Sequence, residues 1–291
     1  MMKQIKYFIL SIIFVACSND EGSKSNTLEF INSIAVAFAY SGQELNDFFQ
    51  NPDKAYVKGY FYFESDLAAD VIFGLDIEWL EGVNTPIHFE GADWMSLAGF
   101  QRNGTFWFRT GSPENLSGVP TINENWETRD IGQELRPNTW YEMTIAADFG
   151  IREFISVKLV GGGIYQEFDL NGFQLDYPNY IPFDKPSLTY YTFAIRSQEF
   201  AQGNKGATEV YFDDLEIGLQ TLSGNSILFN NSFENQNKIS NIPFELPISP
   251  IDNVKENFWY LENDGAKINI TNNKARTGQK SIVCKADLSQ N

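Results

Sequence analysis

The 291-residue chain is poor in the side chains that make metal and redox chemistry easy. It has two cysteines, Cys17 and Cys284, and one histidine, His88. Two cysteines exclude a thiolate zinc site of the zinc-finger kind, and a lone imidazole excludes any site built from several histidines. Positive charge is scarce as well: 21 Lys and Arg stand against 38 Asp and Glu, a formal charge of −17. Such a surface repels nucleic acid and anionic membrane. Along the sequence no cluster of Lys and Arg offers an anionic polysaccharide a local patch. Beyond the N-terminus no apolar run approaches the roughly 20 residues that a spanning helix needs. Helical periodicity is scarce throughout.

The N-terminus is where an apolar run does occur. Met1-Met2-Lys3-Gln4-Ile5-Lys6 leads into YFILSIIFVA, a short apolar core behind a basic flank, ending on the small residue Ala16. That pattern is a signal peptide over residues 1–16. FVAC, residues 14–17, resembles the lipobox of bacterial lipoproteins. The resemblance implies that Cys17 becomes the first mature residue, carries acyl chains and anchors the protein in the outer membrane. Residues 17–26, CSNDEGSKSN, then read as a solvated tether. Its acids resemble the signal that exports lipoproteins to the outer face of certain Gram-negative outer membranes, which implies display at the cell surface. With Cys17 acylated, Cys284 has no partner for an internal disulfide.

The rest of the chain is aromatic, alternating sequence. Aromatics make up 15% of residues, and 43% of residues are apolar, enough for a substantial core. Short runs recur between turn residues: KAYVKGYFYFE, ADVIFGLDIEWL, GTFWFRTG, TWYEMTIAAD, FISVKLVGG, YYTFAIRS and TEVYFDDLEIG. Their period of two predicts strands of an all-β, antiparallel β-sandwich. One helix is predicted in SGQELNDFFQNPD, with Ser41 as cap, Glu44 three residues on, and Asn51-Pro52 as the stop. In TWYEMTIAAD, Trp140, Glu142, Thr144 and Ala146 share one face and Tyr141, Met143 and Ile145 the other. This hairpin resembles the Trp-Tyr hairpin of concanavalin A-like (laminin-G-like) jelly rolls, and EVYFDDLEIG resembles their closing strand. The resemblance implies one jelly-roll sandwich over residues 27–219.

A second unit is expected over residues 223–291. GNSILFNNSFE resembles the opening of family 4/9-type carbohydrate-binding modules, and FWYLENDGAKINITNNKARTGQKSIVCKA resembles the next strands of those modules. A jelly roll needs about eight strands, and this segment holds fewer. It reads either as a partial second sandwich or as a piece docked on the first.

Four constellations are candidates for chemistry. In GLDIEW, Asp76 and Glu78 share a strand face. The stretch resembles the Glu-x-Asp-x-(x)-Glu strand of laminarinase-type glucanases, but Gly74 stands where the resemblance would put the nucleophile. His88 is the other catalytic candidate: a jelly-roll lyase wants a His or Tyr base and a group that neutralises a uronate. Arg102, Arg109 and Arg129 are present without matching lyase spacing. In related binding modules an Asp near VYFDD joins an early Glu around a structural calcium, which implies Asp213, Asp214 and Glu29 as ligands and Glu234 as the opening ligand of the second unit. Oxygen ligands of this kind suit calcium. The last candidates are rings that stack on sugars: Trp94 and Trp126 in polar, loop-like contexts, and Tyr177 and Tyr180 in LDYPNYIPFDKP. Trp107 and Trp140 read as core.

Together these readings predict a lipid-anchored, non-catalytic carbohydrate-binding protein of the bacterial envelope, whose partner is a glycan or polysaccharide. The alternatives are a glycan-degrading enzyme, hydrolase or lyase, on the same sandwich, and a structural or adhesion lipoprotein.

Overall fold

The computed structural model describes residues 30–81, 93–111, 125–176, 186–197, 206–221, 224–236, 255–262 and 267–286. These form two antiparallel sheets that face each other as a jelly-roll sandwich. In the first sheet, β14 (Tyr260–Glu262), β1 (Phe30–Ala39), β11 (Ser187–Ser197), β3 (Ile72–Leu80), β5 (Ala98–Phe100), β6 (Thr105–Thr110) and β7 (Asn125–Asp130) lie side by side, and β4 (Asp93–Met95) also pairs with β3. The second sheet runs β10 (Ile164–Asp169), β9 (Glu153–Gly161), β8 (Tyr141–Asp148), β2 (Lys54–Phe63), β12 (Glu209–Thr221), β16 (Ser281–Lys285) and β15 (Lys267–Thr271), with β13 (Gly224–Asn231) on β12.

Alternation places one set of side chains between the sheets. Phe73, Leu75, Ile77 and Trp79 of β3 meet Val57, Phe61 and Phe63 of β2 and Tyr141, Met143 and Ile145 of β8 in one continuous core. Phe61 lies 5.0 Å from Phe73 and stacks on Tyr141 at 5.4 Å, ring centre to ring centre. The one helix among the described residues, α1 (Gln43–Gln50), closes one end by burying Leu45, Phe48 and Phe49. It stops at Asn51 as the sequence predicts, but its cap is Gly42, which offers no side-chain bond. The Ser41 hydroxyl donates instead to Glu256, at 2.6 Å.

The C-terminal strands join the same two sheets. β13 and β16 share one edge of β12, β16 taking residues 209–212 and β13 residues 215–221, while β14 pairs with β1. Phe233 and Trp259 enter the core, with Trp259 5.4 Å from Tyr190. Among the described residues no helix is long and apolar enough to cross a membrane.

Candidate functional site

Each sheet has a face turned away from the core, and both faces carry acids and rings. On the first sheet the alternation of β3 sends Asp76 and Glu78 to this face. Asp93 of β4 joins them, because Leu80 pairs with Asp93 and Glu78 with Met95. Glu78 is in hydrogen-bonding contact with both Asp76 and Asp93. All three are buried. Tyr191 donates to Glu78 at 2.7 Å, and the Ser96 amide donates to Asp76 at 3.2 Å. The buried Arg109 of β6 forms an ion pair with the buried Asp176.

Three acids in contact, out of water, cannot all be ionised. Burial is the chief cause pushing Asp76 up to about 7 and Asp93 up to about 8, partly offset by Arg109. Burial also holds Glu78 well above the ordinary carboxylate range, with Asp93 and Asp76 adding repulsion. Among the described residues, neither oxygen of Asp93 nor Oε1 of Glu78 meets an N–H or O–H donor. Burial favours the protonated forms, whose O–H groups can donate to a neighbouring carboxyl oxygen. A retaining glycosidase needs its carboxyl pair about 5 Å apart, and an inverting one needs about 6.5–9.5 Å. Carboxyls in hydrogen-bonding contact fit neither.

Gly74 also finds its physical reason. A Cβ placed there would lie 2.1 Å from the Ala98 carbonyl oxygen and 2.6 Å from the Gly99 Cα. The close pairing of β3 with β5 therefore forbids any side chain at the position where the glucanase pattern has its nucleophile.

The outward face of the second sheet differs in kind. β2 presents Tyr56, Lys58, Tyr60 and Tyr62, while β8 presents Glu142 and Thr144 after Trp140. The face repeats one arrangement three times. Tyr56 donates to Glu216 at 2.9 Å, and Lys58 pairs with the same carboxylate at 3.0 Å. Tyr60 donates to Glu142, which pairs with Lys158 at 3.7 Å. Tyr211 donates to Glu209 at 2.8 Å, and Lys285 pairs with that carboxylate. Burial and the Glu142 carboxylate push the Tyr60 phenol up to about 12. Trp140 packs 5.3 Å from Tyr62, and the Arg276 guanidinium lies 3.5 Å over the Tyr60 ring. Tyr60 and Trp140 are half-buried, so part of each ring meets solvent. Trp140, which reads as core in the sequence, is thereby corrected. Alternation assigns it to the right strand face, but that face is the open one.

The other predicted residues divide three ways. Cys17, Glu29, His88, Tyr177 and Tyr180 lie outside the described residues. Trp94 is corrected: it sits on β4 opposite Trp79 and is fully buried in the core. Its indole donates to Glu81 at 3.0 Å under the Arg152 guanidinium, so no sugar reaches it. The polar residues around it in GADWMS mimic a loop. Trp126 is half-buried at the edge of the first sheet, 6.2 Å edge-to-face from Trp107, which is itself half-buried rather than core.

Asp213 and Asp214 do not fit calcium. A bulge in β12 after Asp213 breaks the alternation, and Asp214 has φ 48°, so both carboxylates turn to the loop before β16. Asp213 accepts from the amides of Asp214, Arg276 and Thr277. Asp214 accepts from the Arg276 guanidinium and the Thr277 hydroxyl. All four oxygens are taken, and the guanidinium stands where a dication would be repelled. Glu234 likewise accepts from the amides of Gln279 and Lys280. Among the described residues no group of three or more acid, histidine or cysteine side chains is placed to hold a metal ion.

No protein-family model matches the chain, and no curated protein matches it. Its fold is similar to those of solved polysaccharide lyases. An alginate lyase of Pseudomonas aeruginosa is 12% identical, with 59% of this chain and 67% of that one covered at a TM-score of 0.30. An endo-β-1,4-glucuronan lyase of the fungus Trichoderma reesei is 11% identical over 70% and 85%, with a TM-score of 0.37. An alginate lyase of Aplysia kurodai is 11% identical over 51% and 71%, with a TM-score of 0.27. At that degree of likeness no residue role passes from them to this chain.

Proposed function

We propose that this sandwich binds polysaccharide without cleaving it, on the outward face of its second sheet, while an acylated Cys17 holds it at the outer membrane. One observation carries the binding reading. The partly open rings of Tyr60 and Trp140 lie among fixed acids and bases on a rigid sheet. Aromatic faces offer a large apolar contact at little cost in conformational freedom. The neighbouring carboxylates and ammonium groups accept from and donate to hydroxyls. Sheet strands fix these groups relative to one another, so little ordering is needed on binding. The anchor rests on the basic flank, the apolar core and FVAC of residues 1–17.

A glycan array probed with the purified chain tests the binding reading. Retention on at least one polysaccharide, weakened in Trp140→Ala and kept in Trp126→Ala, supports it; weakening in Trp126→Ala alone contradicts it. For the anchor, Cys17→Ala should move the protein from the membrane fraction to the soluble fraction.

The second reading is glycan degradation, and the acid cluster on β3 and β4 favours it. Strongly shifted acids mark functional sites more often than chance. Burial holds Asp76, Glu78 and Asp93 above the ordinary carboxylate range, with Tyr191 donating to Glu78 and Arg109 partly offsetting the rise in Asp76 and Asp93. Against it, each of these acids is at most 1% exposed, so no substrate atom reaches them in this conformation. Alginate and glucuronan, the substrates in the neighbours' names, belong in the test. New reducing ends or unsaturated products, abolished by Glu78→Gln, would move the assignment to catalysis.

A further inference from the structure

Resting on the binding reading above, we propose that the polysaccharide is neutral and hydroxyl-rich, and that the face is built to refuse polyuronates and sulfated chains. The sequence shows no run of basic residues, but the fold creates a cluster. Lys58 of β2, Lys158 of β9, Lys285 of β16, and Lys274 and Arg276 before β16 all lie on the outward side of the second sheet. Bare, that cluster would attract polyanions.

It is not bare. Each base has its own carboxylate: Lys58 with Glu216, Lys158 with Glu142, Lys285 with Glu209, Lys274 with Glu64 at 2.8 Å, and Arg276 with Asp214 at 2.5 Å. Lys54, exposed at the start of β2 on the same face, stands opposite Asp148 of β8, so six bases against six acids leave no net local positive charge, and the whole chain is strongly negative. A polyanion therefore meets no net attraction at short range and repulsion at long range.

Hydroxyls meet the opposite situation. A carboxylate has about four acceptor positions and an ammonium three donors. In each Tyr–Glu–Lys set the tyrosine and lysine occupy only part of that capacity. The side chains are about one-sixth to one-third exposed, as in Glu216 at 16%, Glu142 at 22%, Lys158 at 32% and Glu209 at 33%. A sugar hydroxyl both donates and accepts, so it can bridge the free positions of neighbouring pairs. The pairs are pre-formed, so recognising the sugar breaks none of them.

Affinity for neutral polymers (laminarin, xylan, mannan) and acidic ones (alginate, polygalacturonate, chondroitin sulfate) decides the matter, measured from about 0.1 to about 1 M salt. Over that range the Debye length falls from about 10 to about 3 Å. The expected result is retention of a neutral polymer with less than about a twofold change in affinity across the series, since no counter-charge is screened. Tighter binding of an acidic polymer that fades with salt overturns the assignment of ligand class and leaves polysaccharide binding standing. Failure to bind any polymer in either class overturns the reading on which the assignment rests. A double variant, Glu142→Gln with Glu216→Gln, unmasks Lys158 and Lys58. It should gain salt-sensitive retention on alginate while keeping its melting temperature within a few degrees; a folded double variant that gains none shows that charge pairing is not what excludes acids.

Discussion

The two outward faces of this sandwich use the same residue types to opposite ends. On the first sheet, Asp76, Glu78 and Asp93 sit against one another, sealed from water, with Arg109 committed to Asp176. On the second, Glu142, Glu209 and Glu216 each hold one lysine and one tyrosine in partial contact with solvent. The first set keeps protons that ordinary carboxyls would lose, whereas each acid of the second is matched by a cation and a phenol. The difference teaches that a carboxylate's role is set by what faces it and by whether water can reach it. A pair of acids on a strand, the feature that draws attention in GLDIEW, is not enough to make a cleft.

Breaking the buried side should have the largest effect. Arg109→Met removes the buried ion pair with Asp176, and breaking a buried pair by removing one member costs about 3–5 kcal/mol. Urea unfolding checks it; a loss below about 1 kcal/mol, the level of a surface pair, would erase the contrast between the faces.

The pH dependence comes next. Unfolded carboxyl groups ionise near pH 4, whereas Asp76 and Asp93 hold their protons in the fold up to about 7 and about 8. The folded state therefore binds more protons within that window, and stability falls as pH rises from about 4 to about 8. Each such group contributes up to about 1.4 kcal/mol per pH unit inside its window. The double variant Asp76→Asn with Asp93→Asn should show a flatter curve of melting temperature against pH than the wild type. A wild-type curve that rises with pH over this interval, and is unchanged by the substitutions, would contradict proton retention on the first face.

How much of this is legible in the sequence depends on which property is asked for. Period-two alternation identifies the strands and even the two faces of TWYEMTIAAD, because a strand cannot present adjacent residues to the same side. Alternation does not say which side is covered. Trp140 therefore reads as core although it borders the open face, and Trp94 as a loop ring although it is fully buried. The basic cluster is invisible in the sequence because Lys58, Lys158 and Lys285 come from three strands far apart in the chain. Strict alternation puts Asp213 and Asp214 on opposite sides; the bulge in β12 turns both toward Arg276. Asp93 and Asp176 escape sequence reasoning for a similar cause: strand pairing brings Asp93 diagonal to Glu78, and the bridges Met95–Asp176 and Thr110–Leu175 bring Asp176 near Arg109.

Smaller effects sharpen the open side. Trp140→Ala should weaken polysaccharide binding about tenfold, equivalent to about 1.4 kcal/mol, with little change in unfolding, because its ring packs at the surface of the Tyr62–Tyr211–Val283 cluster. Affinity electrophoresis of the folded variant reads it directly. Smallest of all, Lys58→Ala should change stability by less than about 1 kcal/mol, since its pair with Glu216 is partly solvated. A larger loss in thermal unfolding would mean that the ladder serves the fold rather than a ligand.

The most direct test is hydroxyl-radical footprinting of the chain with and without a polysaccharide that it retains. Binding on the second sheet predicts protection of Tyr60 and Trp140 on adding the polymer, with Trp107 and Trp126 oxidised as before. Protection of Trp107 and Trp126 with Tyr60 and Trp140 unchanged would place the ligand on the first sheet and contradict the assignment.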